Sequence, residues 1–307
     1  MLDHDFWKEW EPRVSFPTFG GVENTFSFVP DLSLTKRNFR TLALPFYYLW
    51  QGQKSFKSTL QTFNWIITKK KIQFRGALLN REGALLSQFS VPGEFGPGDI
   101  FEVNVSEMRR KAGLPDEDGQ FLLIASRGRL DRMNSAPGNT TIRYVGNNFI
   151  AGYRTGFFAR PLNSSTKGHF GFTGINPQIM ATDKLVSSLL LINHSSNPAY
   201  TTSVTPTVRL YRNNQEFIEA SFGTLPPLGM KEMSVLELFP NAKEFLAPTQ
   251  GRGTTITKAK GVTLASLHIT RCPQGGSFGI EHSRPSHANV VNYTRVKNYM
   301  GKKKKSS

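Results

Sequence analysis

The sequence predicts an all-β protein made of two tandem antiparallel β-sandwiches, of the immunoglobulin-like or jelly-roll kind, derived from an internal duplication. Three observations carry this expectation. From about residue 56 the chain is a succession of short runs rich in Val, Ile, Thr and aromatic residues, cut by Gly, Pro and Asn clusters, the texture of strands joined by turns. Helical periodicity is confined to two short segments. The order of elements around the first of these recurs around the second, about 130 residues further on, a period that marks a duplicated domain rather than a solenoid.

Residues 1–55 belong to neither copy on this reading. They hold Trp7, Trp10 and Trp50 and the run "LALPFYYLW" (42–50), without clean alternation. Such aromatic residues bury much area, so the segment is expected to be an arm or extra strands laid across the first sandwich. Because Trp and Tyr also anchor in partner pockets, the alternative expectation is that the arm contacts a protein partner or a second copy of the chain.

The first sandwich is assigned to residues 56–165. It opens with the strand "STLQTFNWI" and continues with the strand, turn and strand "FRGALLNREGALLSQF", a Gly-Pro turn and "GPGDIFEVNV". A helical segment, "VSEMRRKAGL" (105–114), precedes "FLLIAS" (121–126), "TIRY" and "NFIAGY" (148–153). The polar stretch "RPLNSSTKGHFG" (160–171) marks the boundary.

The second sandwich is assigned to 166–296. It repeats the order with "SSLLLIN" (187–193), "TVRLYR" (207–212), a Pro-Pro-Leu-Gly turn, "VLELFPNAKEFL" (235–246) interrupted by Pro240, "VTLASLHIT" (262–270) and "FGIEH" (278–282). In this alignment Asn80 and Glu82 match Asn214 and Glu216, Glu107 matches Glu237, and Arg127 matches Arg271. "TIRY" takes the place of "FGIEH", and "LLIAS" the place of His268. Residues 297–307 form a lysine-rich tail expected to be flexible, because adjacent lysines repel one another.

A chain of 307 residues can bury two cores without disulfides or structural metals. Its 38 Lys and Arg against 22 Asp and Glu leave a net charge of +16, which favours a polyanionic partner: nucleic acid, an anionic glycan or lipid head groups. The cations cluster at Lys69, Lys70 and Lys71, at Arg127, Arg129 and Arg132, and at Lys302, Lys303, Lys304 and Lys305. Arg154 and Arg160 stand at strand-alternate positions with Phe158, the pattern of an anion-binding strand face with a stacking aromatic. The second copy, apart from the tail, reads as closer to neutral. The leading expectation is therefore a non-catalytic binding or assembly protein attracted to a polyanion, with no cofactor.

The nearest approach to a chemical signature is "SFGIEHSRPSHANVVNY" (277–293). With His268 and Cys272 before it, this stretch supplies His268, Glu281, His282 and His287 to an alternative reading, a metal-dependent enzyme or metal-binding domain. The spacing argues against a shared ion. His282 and His287 are five residues apart with Pro285 between them, which fits neither a helical nor a strand-face pair. Strand alternation sets His268 apart from Ala265, Leu267 and Ile269, and sets His282 with Phe278 and Ile280, so the two rings are expected on opposite faces of one sheet, His268 on the side away from the buried one.

The single cysteine excludes an intrachain disulfide and a Cys-rich zinc cluster. There is no P-loop or strand-associated GxGxxG motif, and the acidic residues Glu82, Asp99, Glu102, Glu216 and Glu232 are scattered without an evident pair. A further alternative is a carbohydrate-binding module using an exposed Tyr153 or Tyr211. The opening residues lack a signal peptide's basic and apolar segments, and no run approaches the roughly 18 apolar residues of a membrane span. The expectation is a soluble cytoplasmic chain, with secretion after removal of a leader as the alternative.

Overall fold

The computed structural model describes residues 40–48, 57–63, 73–90, 100–114, 118–127, 141–146, 150–154, 171–194, 201–213, 216–262, 264–274 and 278–285. The first half contains β1 (Arg40–Tyr48), β2 (Lys57–Phe63), β3 (Gln73–Leu79), β4 (Leu85–Ser90), β5 (Ile100–Asn104), α1 (Val105–Lys111), β6 (Gly119–Arg127), β7 (Thr141–Val145) and β8 (Ile150–Arg154). The second contains β9 (Gly171–Met180), β10 (Val186–Asn193), β11 (Thr207–Tyr211), β12 (Phe217–Ser221), β13 (Met230–Ser234), α2 (Val235–Leu238), α3 (Ala242–Leu246), β14 (Arg252–Lys260), β15 (Leu264–Arg271), β16 (Phe278–His282) and β17 (Arg284–Pro285).

All the pairings are antiparallel, as the all-β sandwich reading requires. The sheets run β1-β6-β3-β4 and β5-β2-β7-β8 in the first half, and β12-β11-β14-β9-β17 and β13-β10-β15-β16 in the second. Apart from β17, the halves match strand for strand, with β9 in the place of β1 and β16 in the place of β8.

This correspondence corrects the sequence alignment at three points. Residues 40–48 do not stand outside the first copy: β1 pairs with β6 along its whole length, from Arg40 opposite Arg127 to Tyr48 opposite Gly119. Arg127 and Arg271 are not equivalent, since β6 corresponds to β14 and β15 corresponds to β7. The place of His268, opposite Leu189, is taken in the first half by Ile142, opposite Leu60, and the counterpart of "FGIEH" is β8 rather than "TIRY".

Glu107 and Glu237 do match, because both are the third residue of a capped helix. The Asn104 side chain accepts from the Glu107 amide at 3.0 Å, and the Ser234 hydroxyl accepts from the Glu237 amide at 3.0 Å. The Glu237 carboxylate accepts in turn from the Ser234 amide, completing a capping box. Pro240 separates α2 from α3, and both helices turn apolar faces inward through Val235, Leu238, Ala242 and Leu246. There they meet Leu189, Leu191, Val208, Leu210, Phe222 and Leu264 in the core of the second sandwich.

The central strands β10 and β15 of the β13-β10-β15-β16 sheet are buried on both faces. Leu189 and Leu191 face the sandwich core, while Leu190, Ile192, Leu267 and Ile269 lie on the other face and are no more than 1% exposed. The described contacts on that outer face come from the first half. The Phe278 ring meets Tyr144 edge-on at 5.8 Å, β8 packs against β16, and the Met230 amide donates to the Arg81 carbonyl at 2.7 Å. On the same face the Arg271 guanidinium holds Glu232 through both nitrogens and lies over the Phe278 ring at 5.6 Å.

The β3–β4 turn is wedged against the Pro226–Gly229 turn. Gly83 has φ of +86°, and a Cβ there would lie 2.5 Å from both the Leu228 carbonyl carbon and the Pro227 oxygen, so only glycine fits. The Gln120 side-chain amide donates to the Leu228 carbonyl of the same turn. No helix among the described residues is long and apolar enough to cross a membrane.

Candidate functional site

The β15–β16 register sets His268 opposite Glu281 and His282 opposite Leu267. Directly opposed residues share a face, so the two imidazoles lie on opposite sides of the sheet. His268, opposite Leu189, faces the sandwich core rather than away from it, which corrects the expected side. Leu264 to Ile269 are all buried, so alternation singles out no inner face on β15.

The His268 Nε2 stands 3.8 Å from Glu281 Oε2 at the sheet edge, where Glu281 is largely exposed. Burial pushes the His268 imidazole below the ordinary histidine value; the Glu281 carboxylate opposes this and His282 adds to it. On the other face the His282 Nδ1 donates to the Ser283 carbonyl at 2.9 Å. The Cys272 sulfur ends 3.1 Å from Gln274 Oε1. Among the described residues, no three His, Cys, Asp or Glu side chains come together as a metal site would need, and His287 lies outside them.

Around His268 the interior is polar. The Asn176 amide donates to the Ser266 hydroxyl at 3.0 Å, while Asn176 Oδ1, Thr255 Oγ1, Thr257 Oγ1, His268 Nδ1 and Ser283 Oγ have no partner among the described residues. Among the described residues, Glu281 is the carboxylate that approaches the imidazole, and it stands at the sheet edge.

Of the cations singled out by sequence, Arg127 and Arg154 end β6 and β8, in register with Arg40 and Thr141. Lys69, Lys70, Lys71, Arg129, Arg132, Arg160 and Lys302 to Lys305 lie outside the described residues, as do Trp7, Trp10 and Trp50. Tyr153 pairs with Ile142 across β7 and β8.

A different basic surface stands on β14, the central strand of the β12-β11-β14-β9-β17 sheet. Thr255 and Thr257 point inward, opposite Leu210 and Val208 and fully buried. Alternation therefore turns Arg252, Thr254, Ile256, Lys258 and Lys260 outward, and the three cations among them are exposed. None of those three has an ion-pair or side-chain hydrogen-bond partner among the described residues. At about 6.7 Å per alternate residue, the row from Arg252 to Lys260 extends roughly 27 Å.

Beside this row lie Arg209 and Tyr211 of β11, in register with Ile256 and Thr254, and Phe217 and Glu219 of β12. Phe217 is 42% exposed. Its ring lies 5.2 Å from that of Tyr211, and the Arg209 guanidinium sits 4.5 Å above it while also holding Glu219. Hydrogen bonds to Glu219 and Tyr211 raise the Arg209 pKa further, so this cation is fixed in charge and place. Tyr211 thus stands on a solvent-facing surface. The strand "RGTTITKAK" carries the signal that reveals the row: Arg252, Thr254, Lys258 and Lys260 recur at every second position, broken by Ile256.

No family model matches the sequence, and no characterised protein sequence matches it. Among solved structures, a glycosyl hydrolase family 2 member from Bacteroides cellulosilyticus aligns over 84% of this chain with 11% identity and a TM-score of 0.21. A beta-glucuronidase from Bacteroides uniformis aligns over 81% with 10% identity and a TM-score of 0.20. The chain spans 30% and 26% of the length of these two proteins. Similarity at this level carries no inference for this chain.

Proposed function

We propose that the chain is a non-catalytic binding protein that takes a polyanion on the outer face of its five-stranded sheet. The observation that supports this reading is the row of Arg252, Lys258 and Lys260, exposed on one strand without a neutralising carboxylate among the described residues. Cations so placed repel one another and gain when an anionic chain sheds its own counterions to lie against them. The net charge of +16 adds a long-range attraction, to which the lysine tail and the clusters at Lys69 to Lys71 and Arg127 to Arg132 contribute.

Retention of the full chain on immobilised heparin, eluted with salt, tests the reading. The wild type is expected to elute well above a neutral control protein, the triple variant Arg252→Ala, Lys258→Ala, Lys260→Ala markedly earlier, and a chelator is expected to change neither. Elution of the wild type with the neutral control would refute the proposal. A triple variant eluting with the wild type would move the site off this face.

A further inference from the structure

We infer that the polyanion taken by this face is a single-stranded nucleic acid, with bases stacked at the Tyr211–Phe217 end and phosphates led along β14 toward Lys260. The inference rests on the polyanion reading and narrows it to a ligand class. Charge alone would serve a sulfated glycan or a lipid head group equally well. What distinguishes the face is the aromatic pair at one end of the cationic row.

Phe217 has no polar tip, yet 42% of it remains in solvent, on a strand face it shares with Glu219 and Ser221. Tyr211 flanks it at 5.2 Å. Arg209, held on the ring by Glu219, adds a planar guanidinium to the same patch, and such a plane stacks on bases as aromatic rings do. Register fixes the order of parts: Tyr211 lies opposite Thr254, next to Arg252, while Lys258 lies opposite Thr207, two residue pairs beyond Arg209. A strand crossing from the rings to Lys260 would therefore meet stacking surface first and the exposed lysines after it. An aromatic surface joined to a basic track is what single-strand binding requires, because every base offers a π-face and every nucleotide a charge. A duplex keeps its base faces stacked inside and would gain only from the cations.

Fluorescence anisotropy of the full chain at low salt tests this with four probes: a labelled oligo-deoxythymidine of about 12 nucleotides, an abasic strand of equal length, a duplex of equal length and a heparin fragment. The oligo-deoxythymidine is expected to bind about tenfold tighter than the abasic strand. Phe217→Leu and Tyr211→Leu keep apolar area without a π-face and should each erase much of that preference while leaving the salt slope unchanged. The pair Lys258→Gln, Lys260→Gln should weaken binding to every probe and reduce the single-strand salt slope by about 1.4, or 0.7 for each phosphate no longer neutralised. Circular dichroism confirms that each variant is folded.

If the abasic strand, the duplex or heparin binds as tightly as the oligo-deoxythymidine, or if the two aromatic variants bind as the wild type does, the single-strand inference fails and the polyanion reading survives. If no probe shows salt-dependent binding, both fail together.

Discussion

His268 should make the second sandwich sensitive to mild acid, and the substitution that removes the effect is supplied by the chain itself. The imidazole is 5% exposed, faces the core, and is pushed below the ordinary value of 6.5 by burial, against the opposing pull of Glu281. Because its folded pKa lies below its unfolded one, the unfolded chain takes up a proton that the folded chain refuses. Stability is therefore complete above about pH 6.5 and is lost as pH falls below it, down to the folded pKa.

If the buried ring stays neutral throughout, lowering the pH from 7.5 to 5.5 costs up to about 1.4 kcal/mol from this group alone. Replacing His268 with Ile, the residue at the equivalent position 142, removes the titrating group and the partnerless Nδ1 together. The approach to Glu281, which the substitution also removes, is 3.8 Å long at an exposed carboxylate and contributes little. Urea unfolding of wild type and His268→Ile at both pH values is the assay. All other titrating groups are common to the two proteins, so the difference between their pH dependences isolates residue 268. Equal pH dependences, or a variant that loses more stability in acid than the wild type, would refute the argument.

Two further expectations concern the meeting of the halves. Removing the carboxylate by Glu232→Ala leaves the partly buried Arg271 guanidinium without its bidentate partner and should cost about 2 kcal/mol in urea unfolding. Adding Arg271→Met to that variant should recover part of the loss, and a double variant no better than the sum of the single ones would show that the pair is not coupled. Gly83→Ala places a Cβ against the 227–228 backbone at a positive φ; it should cost about 1–3 kcal/mol and admit protease at the turn sooner than in wild type. Unchanged digestion would mean that the turn is not clamped.

Strand texture and the short helical segments are legible in the sequence because they are local. The alternation of "TVRLY" and the two helical segments that hold Glu107 and Glu237 need no partner to be read. β1 escapes such a reading because "RTLALPFYY" runs apolar without alternation and contains Pro45, which is tolerated only because β1 is an edge strand. β9 escapes for a related reason, since Pro177 sits where its ladder with β14 loses register.

The basic row on β14 is invisible to a reading by contiguous charge, because a sheet face gathers residues from every second position on several strands. The facing of His268 is hidden as well. A strand buried on both sides loses the polar and apolar contrast that identifies a face, and the cover on its outer side comes from residues far away in the sequence.

That doubly covered sheet makes the first half a condition for the second. Cut between positions 160 and 171, the C-terminal piece would bare Leu190, Ile192, Leu267 and Ile269 as one greasy plane, and such planes draw molecules into clumps.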